Sequence, residues 1–124
     1  MRVRREGWQI LQEWQTVMGD ASVPSFPQPE EVRLDLTGVS ELRVRFDSTK
    51  AENCTVALEV AKKRDSVSWR QTIDLTTSGD GTYTLRRETG TTSNFLDNFL
   101  RWNVERSSAA AWYTTFRIMI SPVK

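Results

Sequence analysis

Apolar and polar residues alternate along much of the chain, and the alternation is clearest near its end. From residue 112 to residue 120, every second residue falls on one face of a strand, and four of these five are large and apolar: Trp112, Phe116, Ile118 and Ile120, with Thr114 between them. Because successive side chains of a strand point to opposite faces of a sheet, this pattern predicts a strand with one buried face. Residues 99–105 alternate in the same way, with Leu100, Trp102 and Val104 on one side. We expect the loop 106–111 to join these two strands as antiparallel neighbours.

Shorter alternating segments precede this pair. They predict strands at residues 32–37, 42–47, 54–60, 69–75 and 83–85, with a polar turn at 48–53. The strongest turn signal is the segment Ser78-Gly79-Asp80-Gly81. Short strands, several long connections and no convincing internal helix predict an all-β fold: an antiparallel two-sheet β-sandwich of jelly-roll type.

The N-terminal segment fits two structures. A helical stripe is formed by Trp8, Leu11, Trp14 and Met18. Alternate strand positions are formed by Ile10, Trp14 and Met18. The β-rich remainder favours an edge strand, with one short helix as the alternative. Pro24, Pro27 and Pro29 then predict an extended connection. We therefore divide the single domain into an N-terminal arm, residues 1–31, and a β-sandwich core, residues 32–124.

Size and charge limit the possible partners. The 124 residues suffice for one domain with a substantial core. The 17 basic and 16 acidic residues are mixed and give a net charge of +1, so we expect neither nucleic acid nor a membrane as partner. The local exception is the start of the chain, where Arg2, Arg4 and Arg5 are candidate basic contacts. A solvated chain end is the alternative interpretation.

The composition also excludes several kinds of catalytic site. The chain has no histidine and one cysteine, which rules out a Ser-His-Asp triad and the common zinc sites. Cys54 shares its parity with aliphatic residues and is expected in the core. We expect no enzyme, no catalytic residue, no metal and no cofactor. No apolar run reaches the length of a membrane span, and residues 8–18 are too polar for a signal peptide, so we expect synthesis in the cytoplasm.

Five tryptophans are the unusual feature of the composition. Trp69, Trp102 and Trp112 share the parity of aliphatic neighbours and are predicted to lie in the core. Trp8 and Trp14 precede the regular sheet. Together with two further aromatic residues they form the predicted partner interface: Trp8, Trp14, Phe26 and Tyr113. Exposed rings of this kind also suit stacking on a sugar.

The residue pattern of four predicted strands resembles that of known proteins. Residues 34–38 (LDLTG), 41–46 (ELRVRF), 99–104 (FLRWNV) and 115–120 (TFRIMI) resemble small jelly-roll structural proteins of bacteriophages and prophages. The resemblance implies a virion or capsid-decoration role, with self-association and a capsid or coat protein as partners. The same residue pattern is also similar to that of carbohydrate-binding modules, which implies a glycan ligand as the alternative. Such modules usually accompany a catalytic domain and a secretion signal, so the assembly role is preferred. Neither resemblance supplies a motif from which site residues follow.

Overall fold

The computed structural model describes residues 7–87 and 93–123. The predicted contacts Arg2, Arg4 and Arg5 lie outside these ranges. The described residues form nine strands: β1 (Gln9–Gly19), β2 (Ser25–Pro27), β3 (Leu34–Asp35), β4 (Glu41–Glu52), β5 (Cys54–Ala61), β6 (Arg70–Asp74), β7 (Gly81–Arg86), β8 (Phe99–Arg106) and β9 (Trp112–Val123). One helical turn, α1 (Leu75–Ser78), and a 3-10 turn (Glu30–Val32) complete the described elements.

The strands form two sheets that pack as a sandwich. The first has the order β1-β9-β4-β7, and the second has the order β2-β8-β5-β6, with β3 also paired to β8. Every pairing between these strands is antiparallel. The prediction of an all-β antiparallel two-sheet sandwich is therefore confirmed. Because the chain crosses repeatedly between the sheets, the strand order is compatible with a jelly roll.

The last two strands are not neighbours, contrary to the sequence prediction. β8 pairs with β5, β2 and β3, whereas β9 pairs with β4 and β1 in the other sheet. The loop between them crosses the sandwich, so the apolar faces of the two strands meet across the core. Trp102 and Phe116 mark this contact, with ring centroids 5.3 Å apart and planes inclined at 77°. An edge-to-face arrangement of this kind is favourable for aromatic rings.

Burial agrees with the predicted parity at most positions. Trp102, Trp112 and Cys54 are buried as expected. Trp69 is not part of the core, because it precedes β6 and does not follow strand alternation. It lies half-buried on the outer face of the second sheet, where the guanidinium groups of Arg33 and Arg101 lie 5.2 and 4.5 Å from its ring.

The N-terminal segment adopts the favoured alternative. β1 forms the edge of the first sheet and pairs with β9 from Gln9↔Ile120 to Gly19↔Trp112. Inward-pointing Leu11 and Val17 are buried in the core. β2 follows on the other side of the sandwich, where it pairs with β8. The described part of the predicted arm thus contributes a strand to each sheet.

Several predicted boundaries differ from the structure. The strand predicted at residues 32–37 is reduced to the two residues of β3, because Val32 belongs to the preceding 3-10 turn. The polar segment 48–52 continues β4 past a register shift, and the turn into β5 is made at Asn53, whose φ is 57°. Leu75 starts helix α1, because the carboxylate of Asp74 accepts a hydrogen bond from the backbone N–H of Thr77, at 3.0 Å. The turn around Gly79 joins strands of different sheets and does not close a hairpin.

A buried glutamine fixes the connection between β2 and β3. The Gln28 side chain is fully buried; its Nε2 donates to the carbonyl of Val32 at 2.9 Å, and its Oε1 accepts from the N–H of Trp102 at 3.2 Å. The backbone carbonyl of Gln28 accepts a hydrogen bond from Arg33 Nε at 3.0 Å. β2 and β3 pair with β8 on either side of Trp102, and the Gln28 side chain bridges the gap between these two pairings. It thereby fastens the Glu30–Val32 turn to β8.

Gly19 provides a test of this packing. A Cβ built on Gly19 would lie 2.6 to 2.9 Å from atoms of the Trp112 indole, whose Nε1 is held by the carbonyl of Val23. We expect Gly19→Ala to lower the free energy of unfolding by about 1–3 kcal/mol through overpacking, measured by urea denaturation. The cost should shrink in a Trp112→Phe background, which removes the opposing atoms. An equal cost in both backgrounds would contradict the clash.

Candidate functional site: the outer face of the first sheet

Large apolar and basic side chains share the solvent-facing side of the first sheet. We call this surface the tryptophan face. Its members come from β1 and the residue before it, from β9 and from β4: Trp8, Ile10, Trp14, Met18, Arg43, Arg45, Asp47, Lys50, Tyr113, Arg117 and Met119.

The edge strand supplies the apolar part. Trp8, Ile10, Trp14 and Met18 are 43, 46, 42 and 68% exposed, and they are four of the eight exposed large apolar residues in the described part of the chain. Because Leu11 and Val17 point into the core, strand geometry turns these four side chains outward. The result is a row of apolar side chains along one sheet edge, with Thr16 between Trp14 and Met18.

Cations from neighbouring strands hold the exposed rings. The Arg43 guanidinium lies 5.5 Å from the ring of Trp8, and that of Arg117 lies 5.1 Å from Trp14. The ammonium of Lys50 lies 5.6 Å from the ring of Tyr113. Such contacts are worth about 0.5–1 kcal/mol each at exposed sites and restrict the ring positions.

One carboxylate serves two of the arginines. Asp47 Oδ2 accepts from Arg45 Nε at 3.3 Å and from Arg117 Nη2 at 3.0 Å. Burial alone would raise the pKa of Asp47, but the hydrogen bonds from Arg117 and Arg45 outweigh it and hold the pKa below its usual value. Since one negative charge is shared by two guanidinium groups, with Arg43 close by, this part of the face is net positive.

A groove opens between the apolar and basic parts. It has a volume of about 330 Å³ and is lined by Trp8, Met119, Arg45 and Arg117. The Nε atom of Arg117 is buried and has no hydrogen-bond partner among the described residues. The groove is therefore suited to an apolar group that carries, or lies beside, a negative charge.

Three of the four aromatic residues predicted for an interface reach this face. Trp8, Trp14 and Tyr113 lie on it, with Tyr113 opposite Met18 in the strand register. Phe26 is also exposed, but it lies on β2 of the other sheet and stacks on Trp102 at 6.3 Å, so it does not belong to the face. The sequence analysis did not assign Ile10, Met18, Met119, Arg45 and Arg117 to a site. Strand alternation in the sequence indicates that these side chains point outward, but it does not show that they lie close together. Their proximity depends on the pairing of β1 with β9.

The outer face of the second sheet carries a buried ion pair. Glu59 is buried and pairs with Arg101 at 2.8 Å, and Trp69 lies over the Arg101 guanidinium. This ion pair joins the adjacent strands β8 and β5. A cavity of about 440 Å³ lies beside this region, where Arg70 and Asp97 approach to 3.5 Å.

Two further properties of the described residues bear on function. Within residues 7–87 and 93–123, no three His, Cys, Asp or Glu side chains are grouped so as to hold a metal ion. No helix in these ranges is long and apolar enough to cross a membrane. Comparison with known proteins gives no match: no family model, curated protein or solved structure is significantly similar to the chain.

The shared carboxylate makes a pH-dependent prediction. Because the pKa of folded Asp47 lies below its ordinary value of 3.8, the ionised group stabilises the fold above that value, and the contribution is lost as pH falls through the folded pKa. We expect Asp47→Asn to cost up to about 1 kcal/mol at pH 7, since the pairs are partly exposed. Urea denaturation at pH 7 and at pH 3 should show a smaller difference from the parent at low pH. A cost independent of pH would contradict the charge pairing.

Proposed function

We propose that this protein is a non-enzymatic structural component of a larger protein assembly, and more specifically a virion-associated decoration protein. The observation that carries the proposal is the row of exposed Trp8, Ile10, Trp14 and Met18 beside a strip of basic side chains. Exposed apolar side chains that are grouped on one face and rimmed by polar residues are typical of contact sites. Tryptophan, tyrosine, methionine and arginine are also the residues enriched where protein interfaces are fully buried.

The proposed contact uses the face and not the edge of the sheet. β1 is an edge strand, and an unpaired edge can in principle accept a strand from another chain. Its register against β9 shifts between Ile10 and Gln12 and again between Gln12 and Gln15. Such irregularities twist a strand and interrupt the regular pattern that an added strand needs. Side chains of the tryptophan face are therefore the better docking surface.

The specific form of the proposal rests on the resemblance to bacteriophage structural proteins. Proteins of that kind associate with one another and with a coat protein, which are the partners proposed here. A near-neutral net charge of +1 fits a protein that binds protein surfaces better than one that binds nucleic acid.

Incorporation into particles tests the proposal. We expect the tagged chain, expressed in its source cells, to co-purify with density-gradient particles at stoichiometric levels. Trp8→Ala combined with Trp14→Ala should reduce incorporation at least about tenfold, since interface aromatic residues often contribute 2 kcal/mol or more to binding. Val67→Ala is the matched control, because Val67 is fully exposed on a loop away from the face. Equal incorporation of the double variant, or no chain in any particle fraction, would contradict the proposal.

A carbohydrate-binding module is the second candidate function. It is favoured by the groove, in which the Trp8 ring and the Met119 side chain lie beside two guanidinium groups. Aromatic and apolar walls with a few polar groups are typical of small-ligand sites. Isothermal titration calorimetry against neutral and carboxylated oligosaccharides tests it, with Trp8→Ala expected to abolish any binding. No heat with either class of sugar would remove this candidate.

A further inference from the structure

The chain carries a second exposed surface whose chemistry is complementary to the groove. The Glu30–Val32 turn exposes two carboxylates beside Val32, which is 43% exposed. Among the described residues, neither Glu30 nor Glu31 has an ion-pair partner within 4 Å. The charges of both glutamates act on Arg33 beside the turn, but their side chains are exposed. An exposed apolar side chain flanked by two carboxylates is the kind of group that the groove is suited to hold.

The turn is held rigidly enough to act as a preformed ligand. Gln28 is fully buried and binds the carbonyl of Val32, while its Oε1 fastens the turn to β8 through Trp102. The N–H groups of Val32 and Arg33 close the turn on the carbonyls of Pro29 and Glu30, each at 3.2 Å. A ligand already in its bound conformation loses less conformational entropy on binding.

We propose that the groove of the tryptophan face binds the Glu30–Val32 turn of a second copy of the chain. Val32 would contact Trp8 and Met119, and the two glutamates would face the basic strip that includes Arg43 and Arg45. This inference rests on the self-association included in the proposed function.

The two surfaces determine the type of assembly. The turn lies beside β8 at the edge of the second sheet, whereas the groove lies on the outer face of the first. Because the two surfaces face different directions, a single two-fold interface would not bring both of them together. The contact is therefore heterologous and generates rings or extended arrays. A single turn in a groove buries little area, so each contact is weak and gains strength where many copies are held together.

Charge exchange between the two surfaces is the test. One variant carries Arg43→Glu and Arg45→Glu, which makes the groove acidic. The other carries Glu30→Lys and Glu31→Lys, which makes the turn basic. Lys62→Glu with Lys63→Glu is the matched control, because it changes net charge as much as the groove variant but lies on an exposed loop. Sedimentation velocity at high micromolar concentration measures association, and circular dichroism checks that each variant is folded.

The expected pattern is specific to a heterologous contact. Wild-type protein should form species larger than a dimer at low salt, and these should dissociate at high salt because exposed charge pairs are screened. Each charge variant alone should associate at least about tenfold more weakly, since like charges would face each other. An equimolar mixture of the two should recover the association, because every groove then has an oppositely charged turn available. The control should associate no more weakly than the wild type.

Several results would overturn the inference. A wild-type chain that stays monomeric at low salt, a strict dimer, or a mixture that fails to recover association would each do so. Arg33 lies close to the turn, and its charge could prevent the variant with two new lysines from folding. In that case Glu31→Gln is used in place of the lysine variant. Unchanged association of Glu31→Gln would also overturn the inference. Binding of a carboxylated oligosaccharide by monomeric protein would assign the groove to a glycan instead. Incorporation into particles is measured separately, so this inference can fail while the proposed function stands.

Discussion

The edge-to-face contact of Trp102 with Phe116 lies where the central strands of the two sheets cross. β8 is flanked by β2 and β3 on one side and by β5 on the other, while β9 is flanked by β1 and β4. The two remaining strands, β6 and β7, attach to β5 and β4. Each described strand is therefore positioned by β8 or β9 directly, or through one intermediate strand. Since both rings are fully buried, the packing of these two side chains sets how the sheets are stacked.

The same contact determines which side chains form the tryptophan face. Once Phe116 points inward, strand alternation requires Arg117 and Met119 to point outward. β1 is then placed by its pairing with β9 and by the burial of Leu11 and Val17. The exposure of Trp8 and Trp14 follows from these constraints and cannot be relieved by rotating the strand. Burying the rings would expose the core residues of β1, so a cover for them has to come from outside the described sheets.

Alternation in the sequence was sufficient to predict the fold class, the buried faces of β8 and β9, and the outward position of Tyr113. It could not decide whether β8 and β9 pair side by side or pack face to face, because both arrangements bury the same parity. Trp69 was misassigned because its parity was counted from a strand that begins one residue later. The groove could not be predicted from the sequence for a similar reason. Arg45 and Met119 become neighbours only through the register of β4 with β9.

Rigidity links the fold to the kind of binding proposed here. The face is built on paired strands, and its rings are already held by Arg43, Lys50 and Arg117, so few side chains need to be ordered when a partner docks. Its charges are exposed and partly neutralised by Asp47, so each contact gains little energy from electrostatics and depends on salt. A surface with these two properties gives a specific orientation with low affinity per contact. Such a surface remains empty in dilute solution and becomes occupied where copies are concentrated on a common scaffold, as a component of a repeated assembly requires.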